Sequence, residues 1–228
     1  MLIYFNGDSN VAGSELREAS EGMAFKLTEK FDGNYKSKFI NDAVPGASND
    51  LIYDQTMDFL KNPNNAQPDL VVIGWTQFSR IQWFLVDDTG HGKFWEINKI
   101  GVGLPVPAEY KERYDHYVEH VQRNGDWVLV QSAYWHNKIF NLHKILEHKK
   151  IPHLFFNAFE PFLMPEDKFK QDWNSTFLSP YSSELIYTLN VHRRGHKEIT
   201  PGWQHYDHNA HAYWADIMYK HIKEHKLV

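Results

Sequence analysis

Short apolar runs alternate with amphipathic segments along most of this chain. Residues 1–6 and 70–73 are runs typical of strands buried on both faces. Residues 15–31 place apolar side chains at helical spacing, and Ser14 precedes them as a candidate helix cap. Strands that alternate with helices at this spacing predict a parallel sheet covered by helices on both faces.

The same pattern extends through the first third of the chain. A second strand is predicted at residues 36–40 and is followed by a polar loop over 41–49. The next helix is predicted at residues 50–60, and Pro63 follows its end. The order of elements is therefore strand, helix, strand, helix, strand, which is the repeat of an α/β domain.

The second half of the chain carries three predicted helices and a strand. Helices are predicted at 107–123 and 126–150, although residues 128–130 also fit a strand. A strand is predicted at 151–157. The last helix is predicted to begin after a capping residue, Asp207.

Two segments break this rhythm. Residues from about 77 to 105 are interpreted as an insertion beside the carboxyl edge of the sheet. The insertion is rich in aromatic residues, which either form its own core or stack on a substrate. The second segment, about 160–204, is irregular and is assigned no element. The aromatic residues of the insertion are Trp83, Phe84, Phe94 and Trp95.

Composition narrows the classes of function. A length of 228 residues with 42% hydrophobic residues suits one globular domain, residues 1–228, and excludes global disorder. A net charge of -5 without a basic tract gives no support for a nucleic-acid partner. The absence of cysteine excludes disulfides, thiolate metal sites and cysteine nucleophiles. We find no signal-peptide pattern and no membrane-spanning run, so we expect neither secretion nor a membrane partner.

Four polar clusters carry the candidate chemistry. The first, residues 7–10, contains Ser9 directly after the first strand. The second, residues 45–49, and the third, residues 74–77, follow the next two strands. The carboxyl ends of parallel strands converge, so we expect Ser9, Gly46 and Thr76 to lie close together. The fourth cluster is histidine-rich and spans residues 205–211.

In their order and spacing these clusters resemble the SGNH (GDSL-type) hydrolases. The resemblance runs from residue 5 to residue 215. It implies a three-layer α/β/α sandwich with a flavodoxin-like parallel sheet. It also implies that Ser9 is the nucleophile, that the Ser9 and Gly46 N–H groups form an oxyanion hole, and that His205 is the base.

Two positions depart from the family pattern. Thr76 stands where the family has an oxyanion-hole asparagine, so Thr76 or Gln77 is expected to supply that donor. Gly202 stands where the family has the carboxylate three residues before the histidine. The alternatives for orienting His205 are Asp207, the distant Glu198 or a backbone carbonyl, which would leave a Ser–His dyad.

The chemistry implied by the resemblance is acyl transfer. His205 would take the proton of Ser9, which would attack a small acyl ester, and water would release the acyl group. The substrate is expected to be a short-chain ester or an O-acetylated carbohydrate. The alternative is a catalytically impaired protein of the same fold that binds a glycan or serves a structural, virion-associated role. Predicted substrate-binding residues are Asn10, Asn49, Trp75 and Arg80.

Cofactors and partners complete the expectations. His208 and His211 share the three-residue spacing of a helical metal pair, but imidazoles at this spacing are more often solvated or capped, so no metal and no cofactor are expected. Compact relatives occur in bacteria and their viruses, so the resemblance implies a cytoplasmic or virion-associated location. It also allows a homo-oligomer or assembly into a virion.

Overall fold

A five-stranded parallel sheet forms the centre of the protein. The computed structural model describes residues 1–31, 37–86, 92–97, 108–123, 125–164, 166–184 and 205–228. Its strands are β1 (Leu2–Asn6), β2 (Lys38–Asn41), β3 (Leu70–Trp75), β6 (His153–Asn157) and β7 (Phe177–Leu178). Their order in the sheet is β2-β1-β3-β6-β7, and all neighbours are parallel.

Helices cover both faces of the sheet. One layer contains α2 (Met23–Lys30) and α6 (His208–Glu224), which pack on the face that carries Ile3 and Phe5. The other layer contains α3 (Asn49–Lys61) and α5 (Gly125–His148), on the face that carries Tyr4. Successive residues of β1 thus enter opposite cores, which explains why the strand is apolar without alternation. Two further helices are α1 (Ser9–Ala12) and α4 (Lys111–Arg123).

The helix predicted at residues 15–31 is wrong in its first half. Helix α1 ends at Gly13, whose φ of 74° is the left-handed conformation of a C-cap. Glu15 also has a positive φ of 68°, which no helix can accommodate. The helix begins only at Met23, after an extended Gly22, so Gly22 and not Ser14 precedes it. Of the apolar residues spaced as in a helix, only those from Met23 onward therefore lie in the helix α2.

The other predicted helices are confirmed with small shifts. Helix α3 begins after Ser48, whose hydroxyl accepts a hydrogen bond from the Leu51 N–H at 3.2 Å. Helix α5 runs through residues 128–130, so the alternative of a strand there is wrong. Helix α6 is capped by Asp207, whose Oδ1 accepts from the Ala210 N–H at 2.8 Å, as predicted.

The insertion contains an antiparallel hairpin of β4 (Ile81–Val86) and β5 (Gly92–Ile97). Trp83 contacts the edge of Tyr117, and Tyr117 contacts the edge of Trp127. Trp83 therefore packs against α4, which lies outside the insertion, and its stacking on a substrate stays a prediction. The side chains of Phe84, Phe94 and Trp95 lie outside the described part of the chain. No described helix is long and apolar enough to cross a bilayer.

The irregular segment after residue 160 contributes one edge of the sheet. Its residues 177–178 form β7, which pairs with β6 and which the sequence did not predict. A single 3₁₀ turn, Asp167–Phe169, precedes it. Residues 185–204 lie outside the described part of the chain.

Gly74 of β3 packs closely against Val11 of helix α1 and Phe156 of β6. A Cβ atom on Gly74 would lie 2.5 Å from Val11 Cγ2 and 2.7 Å from the Phe156 ring. We expect Gly74→Ala to lower the free energy of unfolding by about 1–3 kcal/mol, because a well-packed core cannot absorb the added atom. Urea denaturation measures this loss. Gly22→Ala, whose nearest contact is 3.2 Å at an ordinary φ of −73°, should cost less, and equal losses would contradict the argument.

Three buried histidines make stability depend on pH. Burial lowers the pKa of His136, His153 and His211 from 6.5 to about 4 in each case. Between these values the unfolded chain binds more protons than the folded protein, so stability falls as the pH drops from 6.5 toward 4. We expect the urea midpoint to decrease over this range. His211→Asn should flatten the decrease, whereas His208→Gln at an exposed position should leave it unchanged.

Candidate active site

Three loops meet at the carboxyl edge of the sheet. The loop after β1 leads into α1 and carries Asp8 and Ser9. The loop after β2 carries Gly46, and the loop after β3 carries Thr76 and Arg80. This is the edge at which open α/β sheets place their binding sites. The convergence of the first three clusters agrees with the expectation from the sequence.

The carboxylate of Asp8 joins the first and third loops. Its Oδ1 accepts from the Asn10 N–H at 2.9 Å and so caps α1. Its Oδ2 accepts from the Thr76 hydroxyl at 2.7 Å and from Arg80 Nη1 at 3.2 Å. The side chain is completely buried. Burial raises the pKa of the Asp8 carboxyl, while the Arg80 charge and these hydrogen bonds act in the opposite direction.

Arg80 extends this network to the second loop. Its Nη1 donates to Thr76 Oγ1 at 2.8 Å and lies 3.4 Å from the carbonyl oxygen of Ala47. The guanidinium also lies over the ring of Phe159, 5.0 Å from its centre. With 12% of its side chain exposed, Arg80 is mostly engaged inside the protein. One nitrogen thus contacts a neighbour of Ser9, a neighbour of Gly46 and Thr76 itself.

The other predicted substrate-binding residues also lie inside the protein. Asn49 pairs with the Thr76 backbone: its Oδ1 accepts from the Thr76 N–H at 2.8 Å, and its Nδ2 donates to the Thr76 carbonyl at 3.2 Å. Trp75 is fully buried and packs edge-on against Phe155. Asn10 is 3% exposed. These positions hold the site together, and direct contact with substrate stays a prediction.

Two backbone N–H groups are candidates for an oxyanion hole. Ser9 is the first residue of α1, so its N–H has no acceptor within the helix. Gly46 is the third residue of a turn in which the Ala47 N–H donates to the Val44 carbonyl, and its φ is 81°. The hydrogen bond of this turn therefore does not use the Gly46 N–H. Thr76 uses its only hydroxyl proton on Asp8. Gln77 is half-buried, and its carbonyl accepts from the Arg80 N–H.

His205 is joined to the loop that follows the Ser9 helix. Glu15 Oε2 accepts a hydrogen bond from the His205 backbone N–H at 3.1 Å. The same oxygen lies 3.1 Å from Nδ1 of the His205 ring. The two side chains are 25% and 34% exposed, so the pair is partly open to solvent. The sequence analysis did not identify Glu15.

The predicted alternatives to Glu15 are placed as follows. Asp207 caps α6 with its Oδ1. Glu198 and Gly202 lie outside the described part of the chain. Glu15 was missed because the contact spans 190 positions of sequence and because the spacing around it suggested a helix. A signal was present in Gly13 and Ser14, which favour a turn over a helix at this point.

Ser9 and His205 lie in the same region of the molecule. Val11 of α1 belongs to one core cluster with Tyr206 and Ala210, which flank the start of α6. His205 also lies near enough to Asp8, the neighbour of Ser9, to have a small lowering influence on the pKa of the Asp8 carboxyl. Within the described residues no hydrogen bond joins Ser9 Oγ to the His205 ring. Catalytic hydrogen bonds are often long in structures without substrate.

The histidines at the start of α6 have different surroundings. His211 is buried, and its Nδ1 accepts from the Met23 N–H at 3.1 Å, which ties α6 to α2. His208 is exposed. Among the residues that the structure describes, no group of three or more His, Asp or Glu is arranged to hold a metal ion.

The Thr76 hydroxyl gives a test of the network. We expect Thr76→Val to lower the free energy of unfolding by about 1–3 kcal/mol, because buried Asp8 loses a hydrogen-bond donor without gaining water. Thermal or urea unfolding measures the change. Thr76→Ser keeps the hydroxyl and should cost less. A Thr76→Val protein as stable as the wild type would show that the bond contributes nothing.

Comparisons with known proteins place this fold. The sequence matches no family model, and no curated protein sequence matches it. The psychrotrophic esterase EstA from Pseudoalteromonas sp. is similar in structure, with a TM-score of 0.52, 14% identity and coverage of 98% of this chain and 97% of that chain. TesA follows with a TM-score of 0.49, 12% identity and coverage of 99% of each chain. A structure assigned as a GDSL-like lipase from Parabacteroides merdae has a TM-score of 0.47, 14% identity and coverage of 100% of this chain and 96% of that chain.

At these identities the likeness concerns the fold. This chain has the three-layer α/β fold of the esterase EstA, and the fold class predicted from its sequence is confirmed.

Proposed function

We propose that this protein is a serine ester hydrolase in which Ser9 is the nucleophile and His205 the general base. The position of His205 is the observation that carries this proposal. Glu15 lies six residues after Ser9, and its Oε2 accepts a hydrogen bond from the backbone N–H of His205 at 3.1 Å. A histidine from the end of the chain is thereby attached to the loop that leaves the nucleophile helix.

The three strand-end loops supply the rest of the machinery. The Asp8–Thr76–Arg80 network fixes the loop before Ser9 against the other two loops. The Ser9 and Gly46 N–H groups then serve as preorganised donors to the oxyanion of a tetrahedral intermediate. The Thr76 hydroxyl donates its proton to Asp8 and has none left for an oxyanion. We therefore assign the oxyanion hole two donors, the N–H groups of Ser9 and Gly46. Loss of one oxyanion donor costs roughly 3 kcal/mol of transition-state stabilisation, which favours reactive esters as substrates.

The shared fold agrees with this chemistry. EstA is an esterase, and its structure is of a form inhibited by monoethylphosphonate. We take small acyl esters as the substrate class of the present protein and p-nitrophenyl acetate as the first substrate to test. An O-acetylated carbohydrate belongs to the same class. The cytoplasmic or virion-associated location and the assembly into oligomers remain predictions from the sequence.

Ser9→Ala tests the proposal directly. We expect a fluorophosphonate probe to label the wild-type protein at Ser9 and the variant not at all. Turnover of p-nitrophenyl acetate should fall by about 1,000-fold or more, because the variant lacks the attacking oxygen. Mass spectrometry locates the label. Ser20→Ala is the matched control and should retain full activity, because within the described residues the Ser20 hydroxyl bonds the side chain of exposed Glu18 and no residue of the site.

Other outcomes would point to other functions. A wild-type protein without labelling or turnover between about pH 6 and about pH 9 would favour the impaired, binding alternative. Turnover that survives Ser9→Ala but is lost with a chelator would indicate a metal-dependent hydrolase. Either result would refute the serine mechanism.

A further inference from the structure

We infer that Glu15 orients the ring of His205, so that the acid of this site comes from the nucleophile's side of the chain and not from the segment next to the histidine. The inference rests on the proposed function and names its third residue. One carboxylate oxygen, Oε2, meets both the backbone N–H and the ring Nδ1 of His205, each at 3.1 Å. The backbone contact is a hydrogen bond, and the ring contact is a close approach of Nδ1 to the same oxygen.

The part of the His205 ring that is open to solvent lies on the side that this role requires. The side chain is 25% exposed, yet the Nδ1 atom is shielded from solvent. The open part of the ring therefore lies away from Glu15, on the side that bears Nε2. Nδ1 makes no aligned hydrogen bond within the described part of the chain, so a small rotation of the ring or the carboxylate completes the bond.

The backbone at Glu15 is held in a conformation that glutamate rarely adopts. Its φ is 68°, in the left-handed region, two residues after Gly13 with a φ of 74°. Such a conformation costs about 1–3 kcal/mol for a residue with a side chain and persists only where the surroundings hold it. Here it turns the chain out of α1 and delivers the carboxylate to His205. A glycine would satisfy the turn better but could not make the contact.

Asp207 is the competing carboxylate. Its Oδ1 accepts from the Ala210 N–H at 2.8 Å, and its backbone carbonyl accepts from the His211 N–H at 3.0 Å. These are the bonds of a helix cap, which accounts for the residue without a catalytic role. Asparagine caps a helix about as well as aspartate. Asp207→Asn therefore removes the charge while it keeps the cap.

The chemical role of Glu15 is to hold one tautomer of the base. With Nδ1–H donated to Glu15, Nε2 keeps its lone pair and accepts the proton of Ser9 as Oγ bonds to the ester carbonyl carbon. The imidazolium, stabilised by the carboxylate, then gives that proton to the alkoxide that leaves when the ester C–O bond breaks. Water, deprotonated in turn by Nε2, attacks the acyl-enzyme, and the imidazolium returns that proton to Ser9 Oγ as the acyl C–Oγ bond breaks, which releases the carboxylic acid and free Ser9.

The test compares Glu15→Gln, Glu15→Gly, Asp207→Asn and the surface control Glu18→Gln. We expect Glu15→Gln to lower kcat by about 100-fold or more with little change in KM, because its amide can donate to the ring and favour the wrong tautomer. Glu15→Gly should be equally impaired, more stable to heat because its backbone strain is relieved, and partly rescued by added formate. Glu18→Gln should behave as wild type. Nitrogen-15 NMR of the His205 ring, assigned with His205→Asn, should show Nδ1–H in the wild type and its loss in Glu15→Gln.

These measurements separate this inference from the proposed function. If the wild type is labelled at Ser9 and Glu15→Gln retains its kcat within about twofold, Glu15 is not the orienting residue although the hydrolase assignment stands. A larger loss in Asp207→Asn than in Glu15→Gln would assign the role to Asp207. If the wild type is neither labelled nor active, the proposed function fails. The NMR tautomer then still decides whether Glu15 controls the ring.

Discussion

The buried carboxylate of Asp8 is the interaction on which the site depends. A charge without access to water is tolerated only when other groups replace the lost hydration, and here a backbone N–H, a hydroxyl and a guanidinium do so. The three donors come from the first turn of α1 and from the loop after β3, and Arg80 also contacts the loop after β2. Satisfying one carboxylate therefore fixes the relative positions of three loops. The same arrangement holds Ser9 and Gly46 in position.

Much of the fold follows from local patterns that the sequence displays. Residues 70–73 are apolar without interruption because β3 is a central strand whose two faces enter different cores. The convergence of Ser9, Gly46 and Thr76 follows from the parallel order of strands, which places their carboxyl ends at one edge. These inferences need only strand positions and a rule of topology. Side-chain partners are not needed to reach them.

The partners themselves could not be predicted in the same way. The apolar spacing of residues 15–31 fits a helix as well as a turn followed by a shorter helix, because Leu16 is half-buried although it lies outside the helix. The positive φ of Glu15 is set by tertiary contacts, and its bond to His205 spans most of the chain. Trp75 is fully buried and Asn49 pairs with the Thr76 backbone, and neither contact can be derived from the position of the residue in sequence. Pairwise chemistry of this kind becomes visible only in three dimensions.

The two ends of the central sheet have a consequence for association between molecules. Among the described residues the edge strands are the shortest of the sheet, with four residues in β2 and two in β7. An unpaired strand edge is a template on which another chain can add a strand, and its strength grows with the number of free backbone groups. Lys38 also places an exposed charged side chain on the β2 edge. Lateral growth of this sheet would gain few hydrogen bonds at either side, so its architecture opposes fibril-like stacking while the broad apolar faces stay enclosed by helices.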